Sequence, residues 1–126
     1  MKTLYIRSMR KLFFFFILIA FASCDCTYDY TYVVQNDTSD TIQVYWEHIN
    51  FTHTDTIVSG DKKQIIITNH GLETCKEGPF YQDVNLDLKA IEVSKGGKNS
   101  NLDYRQNAQW NYLKGEFNTV VTDTEF

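Results

Sequence analysis

Apolar and polar residues alternate with a period of two along much of this chain beyond position 26, the pattern of strands with one buried face. Tyr28, Tyr30, Tyr32 and Val34 share one face of a first strand, with Asp29, Thr31 and Gln35 on the other. The turn-forming run Asn36-Asp37-Thr38-Ser39-Asp40 ends it. A second strand then groups Ile42, Val44 and Trp46 against Thr41, Gln43 and Glu47, and the two strands are expected to form a hairpin. Further on, TDTIV and KQIIIT flank Ser59-Gly60-Asp61-Lys62, a glycine-centred connection of hairpin length. Three isoleucines in succession, Ile65 to Ile67, predict a strand buried on both faces or bent at a bulge. His70 to Pro79 reads as a loop carrying Cys75. VNLDLKAIEV predicts a fifth strand, ending at the turn Lys95-Gly96-Gly97-Lys98. Tyr104, Ala108, Trp110 and Tyr112 then fall on even positions, and Lys114-Gly115 turns the chain into a last strand with Phe117, Thr119 and Val121 on one face.

About seven strands at this spacing, with no amphipathic helix, predict an all-β fold: an antiparallel β-sandwich resembling immunoglobulin-like or transthyretin-like domains. The terminal Phe126 resembles that of outer-membrane barrels, but the strands are too few and their second faces too polar for a lipid-facing band.

The first residues follow a different logic. Lys2, Arg7, Arg10 and Lys11 precede the unbroken apolar run LFFFFILIAFA, a basic segment followed by the hydrophobic core of an export signal. The run is shorter than the roughly 20 residues that a membrane-crossing helix needs. Ala20-Phe21-Ala22 fits ordinary signal cleavage before Ser23. Phe21-Ala22-Ser23-Cys24 resembles a bacterial lipobox, with Phe21 where leucine is usual, and is the favoured reading. It implies a signal peptide over 1–23, a single domain over 24–126, and acyl chains on Cys24. Each buried CH₂ of such a chain contributes about 0.8 kcal/mol, so two or three chains hold a protein durably on a membrane.

Removal of residues 1–23 takes away four of the twelve basic residues and none of the sixteen acidic ones. A surface this acidic repels phosphate backbones, which argues against a nucleic-acid partner. With Cys24 acylated, Cys26 and Cys75 remain as a pair in an oxidising compartment, where a disulfide is expected and two free thiols are the alternative. The bridge would close a loop of about fifty residues and contribute up to ~4 kcal/mol by chain entropy.

Taken together, the Phe-rich signal, the lipobox, the Tyr-rich first strand ending in Asn36-Asp37-Thr38-Ser39, the Ile42-Gln43-Val44-Tyr45-Trp46 strand and the late Asp103-Tyr104-Arg105 resemble the small β-sandwich lipoproteins of Gram-negative gut anaerobes. The resemblance implies a cell-envelope location, with the outer membrane favoured. Asp25 resembles the inner-membrane retention signal of enteric bacteria, a rule that varies between lineages. Asp40-Thr41-Ile42 and Asp55-Thr56-Ile57 match the acceptor motif of the O-glycosylation systems of such bacteria, so the resemblance makes Thr41 and Thr56 candidate glycan sites.

Other candidate chemistry is sparse. His53 and Asp55, two apart, with His48 nearby, form a conceivable metal arrangement, weighed against a polar loop between strands. Asn99, Asn101 and Asp103 begin like a calcium loop, but Tyr104 and Trp110 stand where glycine and glutamate are required. No metal or other cofactor is expected. Tyr28, Trp46, Trp110 and Tyr112 are candidate ligand-contact aromatics, weighed against core packing. The leading expectation is a non-enzymatic envelope lipoprotein that binds a protein or glycan or serves structurally. The alternative is a small hydrolase or redox protein using Cys75 with His70 as its base.

Overall fold

The computed structural model describes residues 26–72 and 83–126. Eight strands run through them: β1 (Cys26–Asn36), β2 (Ile42–His48), β3 (Phe51–Ile57), β4 (Lys62–Leu72), β5 (Ala90–Lys95), β6 (Lys98–Asn99), β7 (Asn111–Leu113) and β8 (Glu116–Val121). They form two four-stranded sheets, in the orders β4-β1-β8-β7 and β3-β2-β5-β6, which makes an all-β sandwich. The pairs are antiparallel except β1 with β8, which run the same way from Thr31↔Glu116 to Asn36↔Val121.

The alternation read from the sequence holds where one face is buried. Tyr30, Tyr32 and Val34 of β1, Ile42 and Val44 of β2, and Phe117 and Val121 of β8 are almost wholly enclosed between the sheets. Tyr32 stacks on Phe117 with ring centroids 4.7 Å apart, and Trp110 meets Tyr32 edge-on at 5.3 Å. At the triple isoleucine the bulge is the form adopted. Tyr32 pairs with Ile66 and Val33 with Gln64, so Ile65 is the extra residue, and both Ile65 and Ile66 turn inward while Ile67 faces out.

Three expectations need correction. First, β1 and β2 are not a hairpin, nor are β3 and β4: each pair is split between the two sheets, and the true hairpins are β2–β3, β5–β6 and β7–β8. An immunoglobulin order keeps its first two strands in one sheet, whereas here they face each other across the core. Second, Val84–Leu86 is a 3-10 turn whose Asn85 amide is capped by the Asp83 side chain, so the fifth strand starts only at Ala90. Third, the even-numbered aromatics do not lie on one strand. Residues 107–109 form another 3-10 turn, β7 is three residues long, and Ala108 is exposed. The Gly96-Gly97 turn is as expected: φ values of +57° and +78° suit a two-residue hairpin and favour glycine.

The chain changes sheet after β1, β3, β4 and β6, and the first two of these crossings meet at one buried side chain. The Asn36 amide nitrogen donates to the carbonyls of Asp40 at 2.8 Å and Ile57 at 2.9 Å, and its oxygen accepts from the Thr38 amide and hydroxyl at 2.9 and 2.7 Å. Its own backbone carbonyl accepts from Gly60, and the neighbouring Asp37 amide reaches Val121 at the end of β8. The C-terminal turn is held close by. Glu125, itself buried, accepts from Ser100 and from the Tyr104 hydroxyl. Burial and the Glu125 carboxylate together push the Tyr104 hydroxyl far above its ordinary range.

A buried polar group left without its partner costs about 1 to 3 kcal/mol. Asn36→Ala takes the acceptor from the Thr38 amide and one donor each from the Ile57 carbonyl and the Asp40 carbonyl, which keeps the Thr38 hydroxyl, so it is expected to lower the unfolding free energy by roughly 2 kcal/mol. Urea denaturation at neutral pH measures this. A loss under about 1 kcal/mol would show that water replaces the amide and that the crossings do not depend on it.

Candidate functional site

Three arrangements of chemically capable side chains stand out. The first surrounds Asp87, which follows the Val84–Leu86 turn and is only 1% exposed. One carboxylate oxygen accepts from the Tyr32 hydroxyl and the other from His70 Nε2, each at 2.6 Å. The Asp87 carbonyl accepts from His48 Nδ1 at 2.5 Å, which places a proton on that nitrogen. Tyr30 meets the His70 ring edge-on at 5.3 Å. A turn residue thus draws together β1 and β4 of one sheet and β2 of the other. The His70 side chain remains partly exposed, and a histidine oriented by a buried carboxylate is the arrangement used by general bases.

The second lies where edge strands β3 and β4 of opposite sheets come together. Asp55 accepts from Trp46 Nε1 at 2.8 Å and from Lys63 Nζ at 2.7 Å, with His53 Nε2 at 3.6 Å. Burial by itself would raise the Asp55 carboxyl. The Lys63 and Trp46 hydrogen bonds and the Lys63 and His53 charges outweigh that and hold it below its ordinary 3.8. His53 and Asp55 therefore sit in a strand, not in the loop weighed against a metal site. His48 is turned away to Asp87, and no group of three metal-ligating side chains forms among the described residues.

The third is a groove beside β5. The Lys95↔Lys98 pair flanks the two-residue turn, so its backbone groups face each other across the hairpin. Alternation then directs the N–H and C=O of Val93 and Ile91 to the same edge. The Val93 carbonyl accepts from the Ser100 amide at 2.7 Å. At Ile91 no strand among the described residues pairs on that side, because β6 has only two residues before the chain turns off. The result is an open groove of about 380 Å³ between Ala90–Val93 and a wall of Ser100, Leu102, Asp103 and Arg105. Leu102 is partly exposed, and the Arg105 guanidinium is held by the Asn85 side chain at 3.2 Å and the Lys89 carbonyl at 3.4 Å.

No protein-family model, curated protein or solved structure matches this chain. What the arrangements can do therefore rests on their own chemistry.

The candidate aromatics are dispersed. Trp110 belongs to the core, 6% exposed, with its indole nitrogen donating to the Tyr104 carbonyl at 2.7 Å. Trp46 is half-buried against His53 on β2, Tyr112 packs on Phe117 at the far edge of the other sheet, and Tyr28 is half-buried at the start of β1. Thr41, just before β2, and Thr56, opposite Gln43 on β3, are both exposed. Asp55, the acidic residue of the second acceptor motif, is locked inward by Lys63 and Trp46. Asn99 lies in β6, the Asn101 amide donates to the Glu125 carbonyl, and the Asp103 side chain accepts from the Arg105 amide. Cys24 and Cys75, and with them the anchor and the disulfide, lie outside the described residues. Sequence reasoning overlooked Asp87, which alternation placed among solvent-facing polar positions. It also overlooked the β5 edge, although a Gly-Gly turn followed at once by Asn99-Ser100-Asn101 signals a return strand too short to cover its partner.

Because the Asp55 carboxyl is depressed in the folded chain, its contribution to stability is complete above its ordinary 3.8 and is lost as pH falls through the lower folded value. Lys63→Met removes the main partner of a buried carboxylate whose mate is itself half-exposed. It is expected to cost about 1 to 2 kcal/mol at neutral pH. Urea titrations of both proteins should show this gap intact down to about pH 4 and closing below it. A gap independent of pH would mean that Lys63 acts through its aliphatic stem.

Proposed function

We propose that this chain is an envelope lipoprotein, held by acyl chains on Cys24, whose acidic sandwich binds an extended segment of a partner protein along β5 and performs no catalysis. The observation that carries the binding reading is the open edge at Ile91. Unpaired strand edges are ready templates for an added strand, with main-chain hydrogen bonds for affinity and flanking side chains for selectivity. Glu92 and Asp103 border the groove and favour a segment carrying lysine or arginine. The anchor reading rests on the export signal and lipobox of residues 1–24, and the outer membrane is the favoured location. Support for a Cys26 to Cys75 disulfide comes from the register: Cys26 pairs with Leu72, three positions before Cys75 in the chain. Exposure of Thr41 and Thr56 is compatible with the O-glycan reading that the family resemblance carries.

One observation favours the catalytic alternative. His70 is oriented by buried Asp87, and Cys75 follows it by five residues. Thiol labelling of the native protein separates the two: an unreactive Cys75 bonded to Cys26 fits the binding module, and a readily alkylated Cys75 fits a thiol enzyme.

Two measurements test the main reading. Intact mass of the mature protein extracted from membranes is expected to show cleavage before Cys24 with added acyl chains, and Cys24→Ala is expected to abolish membrane fractionation. A photocrosslinking residue at Leu102 is expected to capture one protein through a single extended segment, and the same residue at Thr52, on the outer face of β3, is expected not to. Equal capture at both positions, or none at Leu102, would remove the groove from consideration.

A further inference from the structure

The end of the sandwich that carries the N-terminus also carries an unexplained apolar tip. Tyr28 pairs with His70, His70 contacts Asp87, and Asp87 contacts His48, so the start of β1 and the end of β2 lie at the same end of the molecule. Just beyond His48 the β2–β3 hairpin turns through Ile49 and Asn50 into Phe51. Ile49 is 55% exposed and Phe51 69%, and Leu86, the residue before Asp87, is 65% exposed. Ile49 also takes φ +47°, a left-handed conformation that a β-branched residue adopts only under strain. Glycine or asparagine would sit there without that cost and without exposing hydrocarbon to water. At the opposite end, around the Asn36 crossing, Val58 and Val120 are exposed aliphatic side chains, and polar residues of the crossing, Asn36, Thr38, Ser59 and Asp61, lie beside Val58.

We propose that the Ile49–Phe51 tip, with Leu86 beside it, rests in the interfacial layer of the bilayer to which the chain is tethered. This rests on the anchor reading given above, because the tether supplies the geometry. One residue, Asp25, separates Cys24 from Cys26, so the two steps between their Cα atoms reach at most about 7 Å. A domain leashed that closely cannot hold its N-terminal end far from the lipid surface. The chemistry of the tip suits that layer. An aromatic and two aliphatic side chains face outward, and the Lys89 ammonium, bonded to the Ile49 carbonyl at 2.6 Å, sits where headgroup phosphates would be. The contact would fix the domain's orientation, directing the Asn36 end away from the membrane.

Fluorine NMR on the full mature lipoprotein, reconstituted in phosphatidylcholine and phosphatidylethanolamine vesicles, tests the contact. 4-Fluorophenylalanine is placed at position 51 and, in a separate sample, at position 58. A nitroxide carried on the lipid is expected to broaden position 51 several-fold more than position 58, and a water-borne gadolinium chelate is expected to do the reverse. Ile49→Gly, which suits the left-handed φ, is expected to weaken the lipid broadening at position 51 without lowering the melting temperature. If the intact mass shows the acyl chains and position 51 still responds to the aqueous chelate as strongly as position 58, the contact is overturned and the anchor stands. A mature chain without acyl chains overturns the anchor and the contact together.

Discussion

The amide side chain of Asn36 is the constraint on which the arrangement of the sheets depends. The chain passes from the β4-β1-β8-β7 sheet to the other after β1, returns after β3, and crosses again after β4 and after β6. At the first two crossings the backbone leaves one ladder before it joins the next, so polar groups there need partners outside the ladders. Asn36 serves the Asp40 carbonyl on the outgoing crossing and the Ile57 carbonyl on the returning one, while its oxygen holds Thr38. An amide is the one side-chain type here that can donate and accept at once in fixed directions. Apolar burial of Tyr30, Tyr32, Ile42 and Phe117 drives the two layers together. The Asn36 hydrogen bonds tie together the two places where the chain first leaves and first rejoins the β4-β1-β8-β7 sheet.

The two ends of the sandwich are built differently. At the Asn36 end the loops are short, polar and tied to one another, with Ser39 bonded to Asp123 and Lys95 reaching the same carboxylate. At the other end the layers meet through Asp87, a buried charge stabilised by donors from Tyr32 and His70, with His48 on its carbonyl. Such a charge is tolerable only because each oxygen has a strong donor. Between the ends, Lys63 and Asp55 close one open side of the sandwich. On the opposite side of the β3-β2-β5-β6 sheet, β6 covers only Ser94 and Lys95 among the described residues. In the reading proposed here, the uncovered stretch of β5 is where a partner segment is taken up.

The faces of β1, β2 and β8 were legible from residue order, since an alternating strand shifted by one position would expose all its apolar side chains together. Turn chemistry was legible too where it is local, as at Gly96-Gly97. Where a segment's contacts are long-range, the pattern misled. Val84, Leu86 and Leu88 alternate as a strand would, yet Val84 and Leu88 are buried while Leu86 is exposed, because the 3-10 turn has its own periodicity. The candidate site was less legible than the fold. Asp87 reads as one more solvent-facing acid, and its partners lie 17, 39 and 55 positions away.

By itself, then, the sequence determined that this is an all-β chain and which residues of its main strands face inward, and its first residues set a basic segment before a contiguous apolar run, on which the export reading proposed above rests. Those properties follow from period-two burial, turn chemistry and a contiguous apolar run, all of which are local in the chain. Only the tertiary structure decided which strands are neighbours, because Asn36-Asp37-Thr38-Ser39-Asp40 is as good a hairpin turn as it is a crossing between sheets. It alone decided that Asp87 is buried, that β5 at Ile91 is left uncovered by the described strands, and that Ile49 and Phe51 lie at the same end as the start of β1. Each of these depends on contacts between residues far apart in sequence, and such contacts form only when the two layers close on a common core.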